Sequence, residues 1–418
     1  MRIVVDLHIH SRYSRATSKD MSFKSLERGA IVKGLDVLGT GDFTHPKWRE
    51  EIRAALVEED GVYRLREGGR VRYVISGEVG TNFEYKGRTR RIHHVILLPS
   101  IEVAEQLIPI FEKRGNLEGD GRPNLSMTGA ELVEVVSDLG EDCIVIPAHI
   151  WTPWFSLFGD RGGVDHIEEC YEDQTPHIYA LETGLSSDPP MNWRISALDR
   201  YTLVSNSDSH SPNPWRIGRE ANILEVSKMS YKEIVQTIMH RKGDVVTIEV
   251  DPAYGKYHWT GHRNCNVSLP PHEAIRLKGI CPVCGKRMTK GVAERVEELA
   301  DRMEGVTPEG TQKFISLLPL SEVIATVLKK DIFSGEVQKQ YWDTVSKFIN
   351  ELEVLMKAPE DRLVQACGRE IAGMLLMNRE GRIVISPGYD GVYGKPGDTG
   401  GNRHPSEDRP AVKEERFL

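Results

Sequence analysis

The run Ile3-Val4-Val5-Asp6-Leu7-His8-Ile9-His10 constrains this chain most. Side chains alternate along a β-strand, so Asp6, His8 and His10 share one face while Val5, Leu7 and Ile9 share the other. Two imidazoles and a carboxylate converging at a strand end form a donor set suited to zinc, iron or manganese. A half-exposed strand with incidental histidines would read the same way, so the pattern needs support from elsewhere in the chain.

That support comes from later apolar runs of strand length that also stop at donors. Leu35-Asp36-Val37-Leu38-Gly39-Thr40 runs into Gly41 and Asp42, with His45 just beyond. Tyr73-Val74-Ile75-Ser76-Gly77 ends in Glu78, and Ile144-Val145-Ile146-Pro147-Ala148 ends in His149. His93 and His94 open the run Val95-Ile96-Leu97, and Tyr201-Thr202-Leu203-Val204 leads to Asp208 and His210. Strands whose C-terminal ends carry the functional side chains belong to α/β barrels, where loops from many strands meet at one mouth. Strand alternation lets only one of His93 and His94 face inward, and the sequence does not say which.

Together these motifs resemble the polymerase-and-histidinol-phosphatase (PHP) superfamily: Asp6-Leu7-His8-Ile9-His10, Thr40-Gly41-Asp42, Gly77-Glu78, His93-His94, Pro147-Ala148-His149 and Ser207-Asp208-Ser209-His210. The resemblance covers about residues 1–250. It implies an α/β fold with a distorted (β/α)7 barrel and two or three divalent ions (Zn, Mn or Mg) that hydrolyse phosphoesters. His8, His10, Asp42, Glu78, His93 or His94, His149, Asp208 and His210 are then the expected metal ligands. Asp208, His210 and Glu78 are the expected catalytic set, with Glu78 or Asp208 bridging two ions. Two departures bear on occupancy. Thr40-Gly41-Asp42 stands where the superfamily has Thr-Asp-His, and Ser11-Arg12-Tyr13-Ser14-Arg15 lacks the usual additional His or Asp.

A second metal site is expected further on. His262 and Cys265 are spaced as a knuckle, as are Cys281 and Cys284, and the two pairs match a closed structural zinc site. His258 is the rival to His262. The six cysteines otherwise stand singly, which favours metal binding in a reducing cytoplasm over a disulfide framework. No apolar run is long enough to span a membrane.

Charge is distributed unevenly. The chain carries a formal net charge of −8, yet between Lys256 and Gly291 seven basic side chains face one acid, Glu273. Arg263, Lys286, Arg287 and Lys290 belong to that stretch, and Arg88, Arg90 and Arg91 form a second cluster just before His93. Basic clusters flanking a phosphoesterase site suit an extended nucleic acid better than a small sugar phosphate. Trp151, Trp154 and Phe155 lie beside His149 in a segment broken by Pro153 and trailing glycines. Such a loop is expected to stack on or wedge between bases.

The zinc knuckles, followed by Arg295-Val296-Glu297-Glu298-Leu299-Ala300-Asp301-Arg302, narrow the resemblance to the endonuclease Q family. That resemblance implies a DNA-repair endonuclease cutting 5′ to deaminated bases (hypoxanthine, uracil, xanthine) and abasic sites, with 3′-hydroxyl and 5′-phosphate products. Some relatives also bind a sliding clamp, but the tail Val412-Lys413-Glu414-Glu415-Arg416-Phe417-Leu418 lacks the Gln and paired aromatics of a clamp-binding peptide. The expected organisation is a barrel over 1–250, a zinc-ribbon module over 251–291, a mainly helical unit over 292–396 and a disordered tail over 397–418. Helices are expected over 292–301, 320–330, 337–356 and 360–377, with a short strand over 381–386. A small-molecule phosphatase and a non-catalytic nucleic-acid scaffold remain as alternatives.

Overall fold

The computed structural model describes residues 1–240 and 245–397. Seven strands close a ring: β1 (Arg2–Asp6), β2 (Val37–Gly39), β3 (Arg72–Tyr85), β4 (Arg88–Leu98), β5 (Ile144–Pro147), β6 (Ala180–Glu182) and β7 (Thr202–Val204). Strand β1 runs parallel to β2 and β2 parallel to β3, with Val5 opposite Val37 and Leu38 opposite Tyr73. Strand β4 is antiparallel to both β3 and β5, which is the distortion of the barrel. The amide of Ile150 reaches the Glu182 carbonyl, joining β5 to β6, and β6 pairs in parallel with β7. The ring closes where Ile9 bridges Ser209 and the His10 amide donates to the Ser209 carbonyl at 2.9 Å. This is an α/β fold with a distorted seven-stranded barrel, as the motifs led us to expect.

The sheet does not stop at the ring. Strand β8 (Ala221–Glu225) pairs antiparallel with β1, β9 (Val245–Glu249) with β8, and β10 (Lys313–Ser316) adds in parallel to β9. The span 292–396 therefore contributes a strand to the barrel's sheet, between the helix Val292–Leu299 and its remaining helices. Between β9 and β10 lies the module expected to bind zinc, a hairpin of Thr260–His262 and Val267–Leu269 followed by the helix Pro271–Arg276 and the Cys281–Cys284 knuckle.

Two helices expected as continuous are broken, each for a local reason. The pattern over 337–356 divides into Gly335–Val345 and Glu351–Met356, because the Asn350 side chain accepts from the Glu353 amide and starts a new helix. The pattern over 360–377 divides at Gly368, whose φ of +83° no helix accommodates. The expected strand over 381–386 appears as Val384–Ser386, paired with Lys395–Gly397. The disordered tail expected over 397–418 lies, from residue 398 on, outside the described residues.

The helical unit is pinned to the barrel by a buried charge pair. Lys33, at the end of the first barrel helix (Phe23–Lys33), places its Nζ 2.7 Å from Glu351 Oε1, and both side chains are fully buried. Glu351 also accepts from the Leu320 amide and from the Tyr341 hydroxyl. Its negative charge is thus satisfied only while Lys33 is present. Truncating Lys33 to Ala should cost about 3–5 kcal/mol, measured by denaturant unfolding, because it strands a buried carboxylate.

Candidate metal centre

The continuation of β1 places His8 and His10 beside Glu78 from β3 and Asp208 from the loop after β7. His10 Nε2 lies 2.8 Å from Asp208 Oδ1 and 3.3 Å from Glu78 Oε2. His8 Nε2 lies 3.6 Å from Glu78 Oε2 and 3.7 Å from Asp208 Oδ1. On the other side of Glu78, Oε1 is 3.0 Å from His149 Nε2 and 2.7 Å from His93 Nδ1. Two donor groups result, His8-His10-Glu78-Asp208 and Glu78-His93-His149, each with its donor atoms within 4.8 Å of one another. Glu78 belongs to both, one oxygen toward each.

The donor chemistry fits metal ions. His8 Nε2 and His93 Nδ1 are buried and have no hydrogen-bond partner, although carboxylate oxygens stand close by. His93 and Glu78 approach at 2.7 Å without the alignment of a hydrogen bond, as two ligands aimed at a common third atom do. The far nitrogens of the rings are held from behind. His8 Nδ1 is 3.0 Å from both Glu182 oxygens, His10 Nδ1 is 3.0 Å from Asp42 Oδ1, and His149 Nδ1 is 3.0 Å from Thr152 Oγ1. A carboxylate behind a ring fixes the proton on the far nitrogen and turns the near one toward an ion.

That arrangement corrects the expectation for Asp42. Its Oδ1 serves His10 while its Oδ2 accepts from the Ser11 amide at 2.6 Å and the Ser14 hydroxyl at 2.8 Å, so it supports a ligand and is not placed as one. Glu182 does the same for His8, and also accepts from the His149 amide and from Asn206. Glu182, the last residue of β6, is a site residue that the sequence motifs did not mark.

Hairpin register separates the histidine pair. Gly80 stands opposite His93 and Glu78 opposite Val95, so His93 shares the Glu78 face, and a Cβ on Gly80 would lie 3.3 Å from the His93 ring. His94 is turned to the opposite face, fully buried with its edge on Tyr171, and burial pushes its pKa down to about 3. It is a core residue and not a ligand here. His210 stands at the mouth with its ring 4.4 Å from His10 and its Nδ1 on the Asp208 carbonyl at 2.9 Å. It lies next to the first donor group without joining it.

Arg122, which the sequence reading missed, sets a guanidinium 3.2 Å from Glu78 Oε2. No motif marks it, since it sits in a loop between elements. Burial works against the ionised form of Glu78, but His93 and Arg122 hold its carboxyl well below the usual range. Burial likewise works against charged His8 and His10, yet neighbouring carboxylates raise both well above the ordinary imidazole value. The pocket concentrates negative charge and draws cations to it.

The second expected site also assembles. His262, Cys265, Cys281 and Cys284 bring their donor atoms within 4.8 Å of one another, with His262 Nδ1 3.4 Å from Cys284 Sγ. His258 is not part of this group.

The expected nucleic-acid contacts divide. Trp151 is buried, packs on Phe158 and donates its indole N–H to Asn192, so it belongs to the core and cannot stack on a base. Trp154 is exposed, and Phe155 stacks its ring on His93 at 4.8 Å. Arg88 and Arg91 are exposed on the β3–β4 hairpin, but Arg90 is spent on the Gly163 carbonyl. Arg263, Lys286 and Arg287 are exposed, whereas Lys290 is locked between Asp160 at 3.2 Å and Glu298 at 2.5 Å. Arg90 and Lys290 therefore drop out of the phosphate-binding set.

Comparison with known proteins follows this geometry. Residues 319–382 match the family described as MJ0043 C-terminal domain. The uncharacterized protein MJ0043 of Methanocaldococcus jannaschii is 36% identical over 251 residues, which is 59% of this chain but 31% of that protein. The chain thus spans under a third of that relative's length. The uncharacterized protein YqxK of Bacillus subtilis is 29% identical over 409 residues, covering 94% of this chain and 99% of YqxK. The crystal structure of the lesion-specific endonuclease PfuEndoQ from Pyrococcus furiosus superposes with a TM-score of 0.84 and 34% identity, covering 95% of each chain. The chain belongs to the endonuclease Q family. A second endonuclease Q structure, a complex with a 27-mer duplex substrate carrying an abasic lesion at the active site, also gives a TM-score of 0.84 at 34% identity. It covers 95% of this chain and 96% of that one.

As an endonuclease Q, the chain is a nuclease with metal-binding donor groups at its barrel mouth. Among the described residues no helix is long and apolar enough to cross a membrane. The support behind the ligands is testable. Glu182→Gln should weaken divalent-metal binding to the barrel roughly 10–100-fold in calorimetric titration, while leaving metal binding at the Cys/His group unchanged.

Proposed function

We propose that this endonuclease Q hydrolyses the phosphodiester 5′ to deaminated bases (hypoxanthine, uracil, xanthine) and abasic sites in DNA, leaving 3′-hydroxyl and 5′-phosphate ends. The observation that carries this reading is Glu78 shared by two donor groups at the mouth of a barrel, in a chain that aligns along nearly its whole length with an endonuclease Q on abasic DNA. Divalent ions bound by His8, His10, Glu78 and Asp208 and by Glu78, His93 and His149 would supply an activated water and offset charge on the phosphate. Their number and identity, and a zinc in the Cys/His site, belong to the same proposal.

The chain's own groups supply the rest. Arg122, whose guanidinium lies 3.2 Å from Glu78 Oε2, would donate its remaining N–H groups to a non-bridging phosphate oxygen, a partner that suits its planar fork. His210 donates its Nδ1 proton to the Asp208 carbonyl, which leaves the Nε2 lone pair at the mouth; burial lowers the pKa of this ring, so it would take up a proton there and not arrive carrying one. Glu182, Asp42 and Thr152 hold the three imidazoles in place. Thr152 also ties the Trp154 loop to His149, through the His149 ring and the Trp154 carbonyl.

A stacked base cannot be read at a recessed centre, so the damaged nucleotide leaves the helix, at a cost of a few kcal/mol that is smallest for mismatched or abasic positions. Trp154 is the residue offered to support the displaced base or the gap it leaves. A keto oxygen beside an N–H is common to hypoxanthine and uracil and absent from adenine and cytosine, so one donor–acceptor pair can serve both.

Labelled duplexes with deoxyinosine, uracil or an abasic site, beside a chromogenic phosphomonoester, test the reading with manganese, magnesium or zinc added. Cleavage only of the monoester would return the chain to the phosphatase class. Asp208→Asn should abolish cleavage and leave DNA binding in place, measured by gel cleavage and anisotropy. Trp154→Ala should depress cutting at inosine and uracil by roughly tenfold or more while changing abasic cutting little, the difference being stacking lost on a base.

A further inference from the structure

Glu249 is the last residue of β9, fully buried and outside both donor groups of the barrel mouth. It stands at a junction. The chain leaves β9 for the Cys/His module at this residue. The Glu249 carbonyl accepts from the Leu317 amide at 2.8 Å, where β10 ends and the helical unit begins. Just ahead of β10, the Gln312 side chain exchanges hydrogen bonds with the Leu203 backbone of β7 at 3.0 and 2.7 Å. Both appended units thus leave the barrel along one seam, and Glu249 sits on it.

The side chain reaches from that seam to two other strand ends. Its Oε2 lies 3.1 Å from the Thr183 hydroxyl, just after β6, and 3.0 Å from the Ser205 hydroxyl, just after β7. Thr183 follows Glu182, the carboxylate that holds the His8 ring and the His149 amide. Ser205 opens the run to Asp208, within which Asn206 donates to Glu182 and Ser207 donates to Asp6. One carboxyl therefore joins the two segments that present Glu182 and Asp208.

The surroundings also decide its charge. The Thr183 hydroxyl is 3.2 Å from the Val204 carbonyl and the Ser205 hydroxyl 3.1 Å from the Ile248 carbonyl. A hydroxyl that gives its one proton to a carbonyl can only accept from Glu249, which requires a proton on the carboxyl. Of the charged groups around it, Asp188 and Glu220 face Glu249, and Glu182 and Arg219 face Glu220. Glu220 Oε2 is buried without a hydrogen-bond partner, and the Arg219 guanidinium is turned to the Ser207 carbonyl at 3.0 Å. A carboxyl buried among acids stays neutral, and burial pushes that of Glu249 up to about 8.

We propose that Glu249 is a positioning residue for the metal centre: as a neutral acid it locks the ends of β6 and β7, and with them Glu182 and Asp208, to the strand from which the two appended units depart. Ionisation would draw both hydroxyl protons onto the carboxylate and set an uncompensated charge between the strand ends. Because its folded pKa is raised, the stability this acid contributes is fully present below the ordinary carboxyl value and is lost as pH rises toward 8. The proposal rests on the reading of the barrel mouth as a metal-dependent nuclease centre.

Glu249→Gln, which keeps a neutral donor and acceptor, and Glu249→Ala, which keeps neither, test this in the full chain. Manganese titration by calorimetry at pH 7 should give wild-type affinity for Glu249→Gln and a roughly tenfold loss for Glu249→Ala. Single-turnover cleavage of a deoxyinosine duplex separates positioning from packing. Between pH 7 and 9 the wild-type rate relative to that of Glu249→Gln should fall roughly tenfold, since about a tenth of an acid stays protonated one unit above its pKa. Unchanged manganese affinity in Glu249→Ala, or a wild-type to Glu249→Gln ratio that stays flat with pH, would overturn the proposal. Should Glu249→Ala fail to fold, that ratio still decides. The titration contains no DNA, so failure of every form to cut would overturn the proposed function and leave the binding result to be read separately.

Discussion

Glu78 is fully buried, and a carboxylate in that position is tolerated only if cations and donors surround it. The barrel supplies them from several directions: His10 from the end of β1, His93 from β4, His149 after β5 and Arg122 from a loop. Each must reach the same height in the barrel, so strand register and hairpin length follow from one carboxylate. The long hairpin of β3 and β4 shows the constraint most directly. A shift of one residue would turn Val79 and His94 inward, replacing the shared ligand by an aliphatic side chain and burying the carboxylate outside the site. Gly80 belongs to the same solution, since a side chain there would press on the His93 ring from one side and Asn124 from the other.

Holding donors at this height strains the chain. Asp42, His149 and Asp208 all take positive φ, at +43°, +32° and +47°, immediately past the strands that deliver them. Each such residue costs on the order of 1–3 kcal/mol and persists only where its surroundings over-determine it. The surroundings here are the same carboxylates that orient the rings. Glu182 accepts the His149 amide as well as the His8 ring, and Asp42 accepts the Ser11 amide as well as the His10 ring. The supporting carboxylates thus fix backbone and side chain together, which is why a site built on loop residues can be rigid.

The strand-end rule read the site's composition from sequence because alternation and termination are local properties. The distinction between a ligand and its support is not local. Asp42 and Glu78 both follow apolar runs, and only the reach of each side chain across the barrel separates them. Trp151 and Trp154 differ in the same way, since three residues along an irregular loop decide whether a ring meets Asn192 or solvent. Lys290 counted as a basic charge until Asp160 and Glu298 closed on it. The helix breaks were missed, although Gly368 and the Asn350 cap are signals of single residues. Arg122 was missed because an arginine in a loop carries no periodicity.

Electrostatics then orders events at the mouth. Asp42, Glu78, Glu182 and Asp208 cluster around the imidazoles, and the first three are fully buried. A phosphodiester approaching this pocket carries its own negative charge and meets a repulsive field at a dielectric well below that of water. Arg122 offsets part of that field, but its guanidinium is engaged with Glu78 and balances one carboxylate at most. Raised imidazole pKa values are the response of the site to the same surplus, since protons are the cations nearest to hand. Divalent ions held by His8, His10, Glu78 and Asp208 and by Glu78, His93 and His149 would supply the positive charge that offsets this field. The carboxylate that makes the barrel hold its register is thus also the one around which this field and its compensating donors are arranged.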